Sequence, residues 1–157
     1  MEPVQVLLVC SGGGHLSQLW SLRPAWEPWS RAWVVENPDR LSVLSMLGDE
    51  RVAFAHSPAE RSVRNLLRNS LLAWRVLRAT RPSVVLTTGA AVAVPFAWFG
   101  RLFGAKVVWI ESMARVTTPS LSCRMAAPAA SRLYVQWPEL LAALPRAKYV
   151  GTVFSRG

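Results

Sequence analysis

The sequence predicts a doubly wound α/β fold on a mainly parallel sheet, in a single domain covering residues 1–157. Short β-branched, apolar runs alternate with amphipathic ones along the whole chain, which is the pattern of strand–helix–strand units. The first run, Val4-Gln5-Val6-Leu7-Leu8-Val9-Cys10, is mostly apolar and rich in β-branched residues, the signature of a strand covered on both faces. No internal repeat or interdomain linker divides the 157 residues.

Each element follows from local signals. Ser11-Gly12-Gly13-Gly14 breaks the first strand, and His15 to Leu22 reads as a helix ending near Pro24. Arg31 to Glu36 is a second strand. Asn37-Pro38-Asp39 offers a turn and cap for a short helix through Leu47, which Gly48 stops. Arg51 to Ala55 is a third strand. Ser57-Pro58-Ala59-Glu60 resembles a capping box, with Ser57 as N-cap, and predicts a long helix to about Thr80. Ser83 to Thr87 is a fourth strand, followed by Thr88-Gly89-Ala90-Ala91 and a helix over Val94 to Phe103. Lys106 to Ile110 is a fifth strand, and Val116 to Ser122, rich in Thr, Ser and Pro, is expected as a loop. Arg132 to Gln136, a short helix at Pro138 to Leu144, and a strand at Lys148 to Val150 complete the chain.

Composition narrows the function classes. Eighteen Lys and Arg stand against nine Asp and Glu, a formal charge of +9, nearly all of it arginine. Arginine fits phosphate bidentately, so nucleic acid, anionic lipid or a phosphorylated substrate are the partners that charge allows. Two cysteines, Cys10 and Cys123, make neither a disulfide framework nor a zinc site, and a reducing compartment is expected with no metal and no cofactor. The longest apolar run, Ala90 to Phe99, falls short of the roughly 20 residues of a spanning helix. The N-terminus lacks a basic region and carries Glu2, so Val4 to Cys10 reads as a strand and not as a signal peptide.

In such sheets ligands bind beyond the carboxyl ends of the strands, and three segments fall there. Ser11, Gly12, Gly13 and Gly14 would present backbone N–H groups at a helix N-terminus, which suits a phosphate; a tight turn alone would use the same glycines. His15 follows, either as general base or donor to a reacting hydroxyl or as a cap on its own loop. Thr87-Thr88-Gly89 offers hydroxyls and close backbone approach. Glu111 supplies a carboxylate as base or sugar-hydroxyl acceptor, and Arg115 a phosphate partner.

The helix expected over Arg61 to Arg81 carries the other signal. At 100° per residue, Arg61, Arg64, Arg68 and Arg75 share one sector, Leu71 and Leu72 interrupt or flank it, and Val63, Leu66, Leu67, Trp74 and Leu77 lie opposite. Leucine among arginines suits a surface that meets anionic headgroups, so this face is expected to touch a membrane.

Taken together, Ser11 to Leu16, Thr87-Thr88-Gly89 through Val94-Pro95, Ile110 to Val116, and Val135-Gln136-Trp137-Pro138-Glu139-Leu140 resemble the Alg14-like proteins, whose bacterial members include PssD-type exopolysaccharide glycosyltransferase subunits. The resemblance runs from Val6 to about Gly151. It implies a Rossmann-like domain, the N-terminal, acceptor-binding half of an inverting GT-B glycosyltransferase of the MurG type. An Alg13-like (PssE-like) subunit would hold the UDP-sugar. The acceptor would be a sugar on a polyprenyl diphosphate at the cytoplasmic membrane face. Carried onto this chain, Gly12 to Gly14 with Thr88 and Gly89 would cradle the diphosphate, His15 and Glu111 would position or deprotonate the acceptor hydroxyl, and the arginine-rich helix, including Leu72, would face the membrane. Eukaryotic relatives carry an N-terminal anchor, whereas this chain starts almost at its first strand, so association that is peripheral or through the partner is expected.

Two other functions compete with it. An NAD(P)- or nucleotide-binding Rossmann domain would use Glu36, which lies 24 residues after Gly12, as its ribose acid, but Ser17 occupies the third glycine position. Nucleic-acid binding through the arginines finds no recognisable module.

Overall fold

The computed structural model describes residues 1–154. The apolar run near the N-terminus forms β1 (Val6–Ser11), whose first five residues are buried. It is followed by α1 (Gly14–Ser21), a turn of helix α2 (Arg23–Trp26), β2 (Arg31–Glu36), α3 (Arg40–Leu47) and β3 (Val52–Phe54). Then come α4 (Val63–Thr80), β4 (Val84–Thr87), α5 (Ala93–Leu102) and β5 (Lys106–Ile110). The chain ends with α6 (Leu121–Ala126), β6 (Arg132–Val135), a 3₁₀ turn at Pro138–Ala142 and β7 (Lys148–Tyr149). All strands pair in parallel, in the order β3-β2-β1-β4-β5-β6-β7.

Alternation along the strands builds two cores. Leu7, Val9, Val34, Val85, Val107 and Trp109 face α4, α5 and α6. Val6, Leu8, Cys10, Trp33 and Val35 face α1, α2 and α3, where Trp26 meets Trp33 edge-on with centroids 5.2 Å apart. This second layer thins over β4 to β6. Val84, Val108 and Ile110 are only half-buried there, and a trough of about 290 Å³ lies between Leu22, Ile110, Tyr134, Val150 and Val153.

Several expectations are corrected. The capping box does not form: Ser57–Pro58 is a cis peptide, and α4 starts at Val63 with Ser62 as N-cap, its hydroxyl accepting from Asn65 N–H at 3.2 Å. Arg61 therefore stands before the helix, at φ 53°, and is not part of its face. The core side of α4 is Asn65, Asn69, Ala73, Val76, Leu77 and Thr80, while Val63 (74% exposed), Leu67 (66%), Leu71 and Trp74 face outward. Asn69 explains part of this orientation. Its amide closes on both backbone groups of His56, accepting from the N–H at 2.8 Å and donating to the carbonyl at 3.0 Å, so a polar residue belongs inside. Leu72, expected at the membrane, is partly buried against the core. Finally, the segment expected as loop through Ser122 enters α6, capped by Ser120, whose hydroxyl accepts from Cys123 N–H at 3.0 Å. Among the described residues, no helix is long and apolar enough to cross a membrane.

Candidate functional site

β1 and β4 are neighbours, yet the chain leaves β1 toward β2 and leaves β4 toward β5. Loops that depart in opposite directions open a crevice at the carboxyl end of the sheet. Its walls here are the glycine loop after β1 and the Thr88–Gly89 turn after β4.

The glycine loop is shaped by its surroundings. Gly12 N–H bonds to the Glu36 carbonyl at 2.9 Å, and a Cβ at Gly12 would come within 2.0 Å of Asn37 Nδ2. Gly13, at φ 68°, is the N-cap of α1. The first helical bond runs from Ser17 N–H to the Gly13 carbonyl, 3.0 Å, so the preceding N–H groups have no helical partner and present partial positive charge at the crevice. Gly13 and Gly14 are exposed, and Ser11 is half-buried.

His15, half-buried in the first turn of α1, is tied to the opposite wall. Its Nδ1 lies 2.8 Å from the Thr88 carbonyl oxygen, and the Thr88 hydroxyl donates to the His15 carbonyl at 2.7 Å. A carbonyl only accepts, so the neutral imidazole carries its proton on Nδ1 and leaves the Nε2 lone pair open. Gly89, at φ 101°, lies beneath the ring: a Cβ there would stand 3.5 Å from His15 Cε1.

Two expected ligand groups turn out to be occupied. Both Thr87 and Thr88 are fully buried, and the Thr87 hydroxyl accepts from Gly89 N–H at 2.9 Å. These hydroxyls, and the Gly89 N–H, bind the loops together and are not directed at a ligand. Glu111 is also enclosed, at 1% exposure. Its carboxylate accepts from Ser112 N–H (2.8 Å), Ser120 N–H (3.0 Å) and the Ser120 hydroxyl (2.9 Å). A carboxylate so committed is a clamp on the loop after β5, and the expectation that it is a free base is corrected. Burial, and secondarily the Glu111 charge, pushes the Cys123 thiol up from its ordinary range.

Gln18, which the sequence reading did not single out, connects the walls. Its Oε1 accepts from Gln136 Nε2 at 2.7 Å and from Met113 N–H at 2.9 Å, and Gln136 also donates to the Glu111 carbonyl at 3.0 Å. Trp137 Nε1 donates to the Met113 carbonyl at 2.7 Å. The loop carrying Arg115, whose side chain is exposed, is thereby held against α1. The available signal was the Gln-Trp pair at 136 and 137, directly after a strand.

Outside the crevice, α4 presents Val63, Leu67, Leu71 and Trp74 beside Arg64, Arg68, Arg75 and Arg78, all exposed. Trp74 packs on Phe99 and Phe103, extending the apolar surface to α5, where Trp98 and Leu102 are exposed. The ribose acid of the alternative reading, Glu36, accepts a hydrogen bond from the Ser57 hydroxyl. Among the described residues no group of three or more His, Cys, Asp or Glu is placed to hold a metal.

Comparison with known proteins gives a consistent picture. The family model described as oligosaccharide biosynthesis protein Alg14 like matches residues 6–153. The UDP-N-acetylglucosamine transferase subunit ALG14 of Candida albicans is 26% identical, over 96% of this chain and 78% of its own length. The subunit of the same name from Mus musculus is 25% identical, over 97% and 84%. Among solved structures, MurG of Acinetobacter baumannii superposes with a TM-score of 0.75 at 16% identity, covering 99% of this chain. UDP-N-acetylglucosamine 2-epimerase from Rickettsia bellii superposes at 0.73 with 11% identity, covering 97%. The chain spans about half the length of these two structures, 47% and 46%.

Proposed function

The chain belongs to the Alg14-like family of oligosaccharide biosynthesis proteins, and from that premise we propose that it is the acceptor-binding subunit of an inverting, two-component glycosyltransferase. In this reading the subunit receives a polyprenyl-diphosphate-linked sugar, and a separate Alg13-like (PssE-like) polypeptide holds the UDP-sugar. The product belongs to exopolysaccharide or related lipid-linked glycan assembly at the cytoplasmic face of the membrane. The observation that carries the proposal is the convergence of the α1 N-terminus and His15 on one crevice at the switch point.

The chemistry divides among few groups. The Gly12 N–H is committed to the Glu36 carbonyl, so the N–H groups of Gly13, Gly14 and His15 take the diphosphate, where the helix end favours negative charge. His15 Nε2 accepts the proton of the attacking hydroxyl while Thr88 holds the ring through Nδ1. Gly89, at φ 101°, forms the turn beneath the imidazole, and Glu111 keeps the neighbouring loop in place. Arg115, exposed on that loop, would supply a guanidinium fork for a phosphate.

A donor-binding partner is supported by the name subunit borne by the Candida albicans and Mus musculus relatives, and by the half-covered face over β4 to β6. Parallel sheets are stable when both faces are covered, so an apolar trough there suits a second protein. Membrane association is supported by the exposed leucines and arginines of α4.

The test is transfer from several UDP-sugars to a lipid-diphosphate acceptor, with and without a co-expressed Alg13-like protein. The proposal expects product only when both polypeptides are present; product formed by this chain alone would refute the division of labour.

A further inference from the structure

The crevice lies at the carboxyl ends of the strands; a second concavity lies at their amino-terminal ends. A hollow of about 550 Å³ is bounded by the end of α6, the start of β6 and the start of β7. Four cations line it, Arg124, Arg132, Arg146 and Lys148, and no carboxylate does. The two ion pairs among the described residues, Arg23–Glu27 and Arg31–Glu50, lie elsewhere, so none of the four lining cations is ion-paired with a carboxylate. A fifth guanidinium, Arg101, reaches the rim, with Nη1 3.4 Å from the Ser131 hydroxyl. Leu133 and Leu144 are almost fully buried and give the hollow an apolar floor.

We propose that this hollow binds a phosphate-bearing anion. Four like charges around one concavity raise the local potential, and an anion with several acceptor oxygens relieves it through charge-assisted bonds. The volume falls within the range of small-molecule sites and exceeds what one phosphate needs, which fits a group carrying more than the phosphate. Position favours one source. Arg101 adjoins the exposed Leu102, and Arg124 adjoins the exposed Met125, so the hollow borders the apolar outer surface of α5 and α6. We assign the ligand to the phosphodiester headgroup of an anionic lipid. That assignment rests on the membrane-facing reading above; the phosphate site itself does not.

The experiment titrates inorganic pyrophosphate calorimetrically into the full chain and measures co-sedimentation with phosphatidylcholine vesicles, with and without phosphatidylglycerol. The variant R124Q/R132Q/R146Q is expected to bind pyrophosphate at this site at least about tenfold more weakly. R64Q/R68Q/R75Q, which removes the same charge from α4, is expected to keep the affinity. A binding event in the glycine-loop crevice is untouched by the first variant, so failure of the crevice reading and failure of this one are separable. If R124Q/R132Q/R146Q does not fold, R146Q/K148Q replaces it. Unchanged pyrophosphate binding in the hollow variant, or an equal loss in the α4 variant, overturns the site. Loss of phosphatidylglycerol binding in the hollow variant supports the headgroup; retention of it, with pyrophosphate binding lost, overturns the headgroup in favour of a soluble phosphate.

Discussion

His15 and Thr88, 73 residues apart, close on each other through two hydrogen bonds: Nδ1 to the Thr88 carbonyl at 2.8 Å, and the Thr88 hydroxyl to the His15 carbonyl at 2.7 Å. The pair joins the two walls of the switch-point crevice and fixes which imidazole nitrogen is free. It makes the tautomer of His15 a consequence of the fold.

His15→Asn offers a side-chain N–H to the Thr88 carbonyl but no base. The account expects transfer by the reconstituted pair to fall about 10²- to 10⁴-fold, with melting temperature and partner binding retained. Kinetics and a melting curve check this. An active His15→Asn enzyme would remove His15 from proton transfer and leave it a scaffold.

Gly89→Ala puts a methyl group at a left-handed backbone position, φ 101°, in contact with the His15 ring. We expect a loss of about 1–3 kcal/mol in denaturant unfolding from the strained backbone, together with a reduced kcat as the turn shifts the Thr88 carbonyl that holds the imidazole. A variant as stable and active as the parent would show that the turn does not hold the ring.

Glu111→Gln separates a clamp from a base. Replacing the carboxylate weakens bonds to Ser112 and Ser120, at a cost of about 1–3 kcal/mol. The folded variant should keep the parent's pH–rate profile. Loss of the acidic limb of that profile, with stability unchanged, would make Glu111 the base after all.

The outward face of α4 is tested with vesicles containing anionic lipid. R64E/R68E/R75E and, separately, V63S/L67S/L71S should each reduce co-sedimentation several-fold, since both charge and apolar area contribute. Each polybasic contact is worth about 1 kcal/mol near such a surface. Unchanged sedimentation in both variants contradicts the membrane-facing assignment.

Both thiols are buried, and burial pushes Cys10 and Cys123 up. In the unfolded chain they ionise near their ordinary value, so above about pH 9 the unfolded state releases protons that the folded state keeps. Stability is therefore complete below that pH and falls as pH rises, by at most about 1.4 kcal/mol per unit for each thiol. Denaturant melts of the parent and C10A/C123A between pH 8 and 10 check it; identical pH slopes would contradict it.

The strands and the turns between them were legible because period and punctuation are local: β2 and β5 start and end where the sequence places them. The site's two walls followed from glycine-rich breaks after strands. What was not legible depends on partners distant in sequence. Periodicity sets Val63, Leu67 and Trp74 opposite the arginine sector without fixing which side is buried; Asn69 is drawn inward by the His56 backbone, and the apolar stripe turns out. Likewise Glu111 looks like a free carboxylate until Ser120, nine residues on, is seen to cap α6 and donate to it. Gln18 and Gln136 meet across 118 residues, a distance that no window of sequence spans.

The central claim is that the α1 N-terminus and the Thr88–Gly89 turn enclose the acceptor's diphosphate. A photoreactive lipid-diphosphate sugar, cross-linked to the assembled pair and mapped by mass spectrometry, tests it most directly. The account predicts labelling within residues 11–15 and 88–91, suppressed by excess unmodified acceptor. Suppressible labelling confined to the partner polypeptide, or to surfaces of this chain away from those two loops, would contradict it.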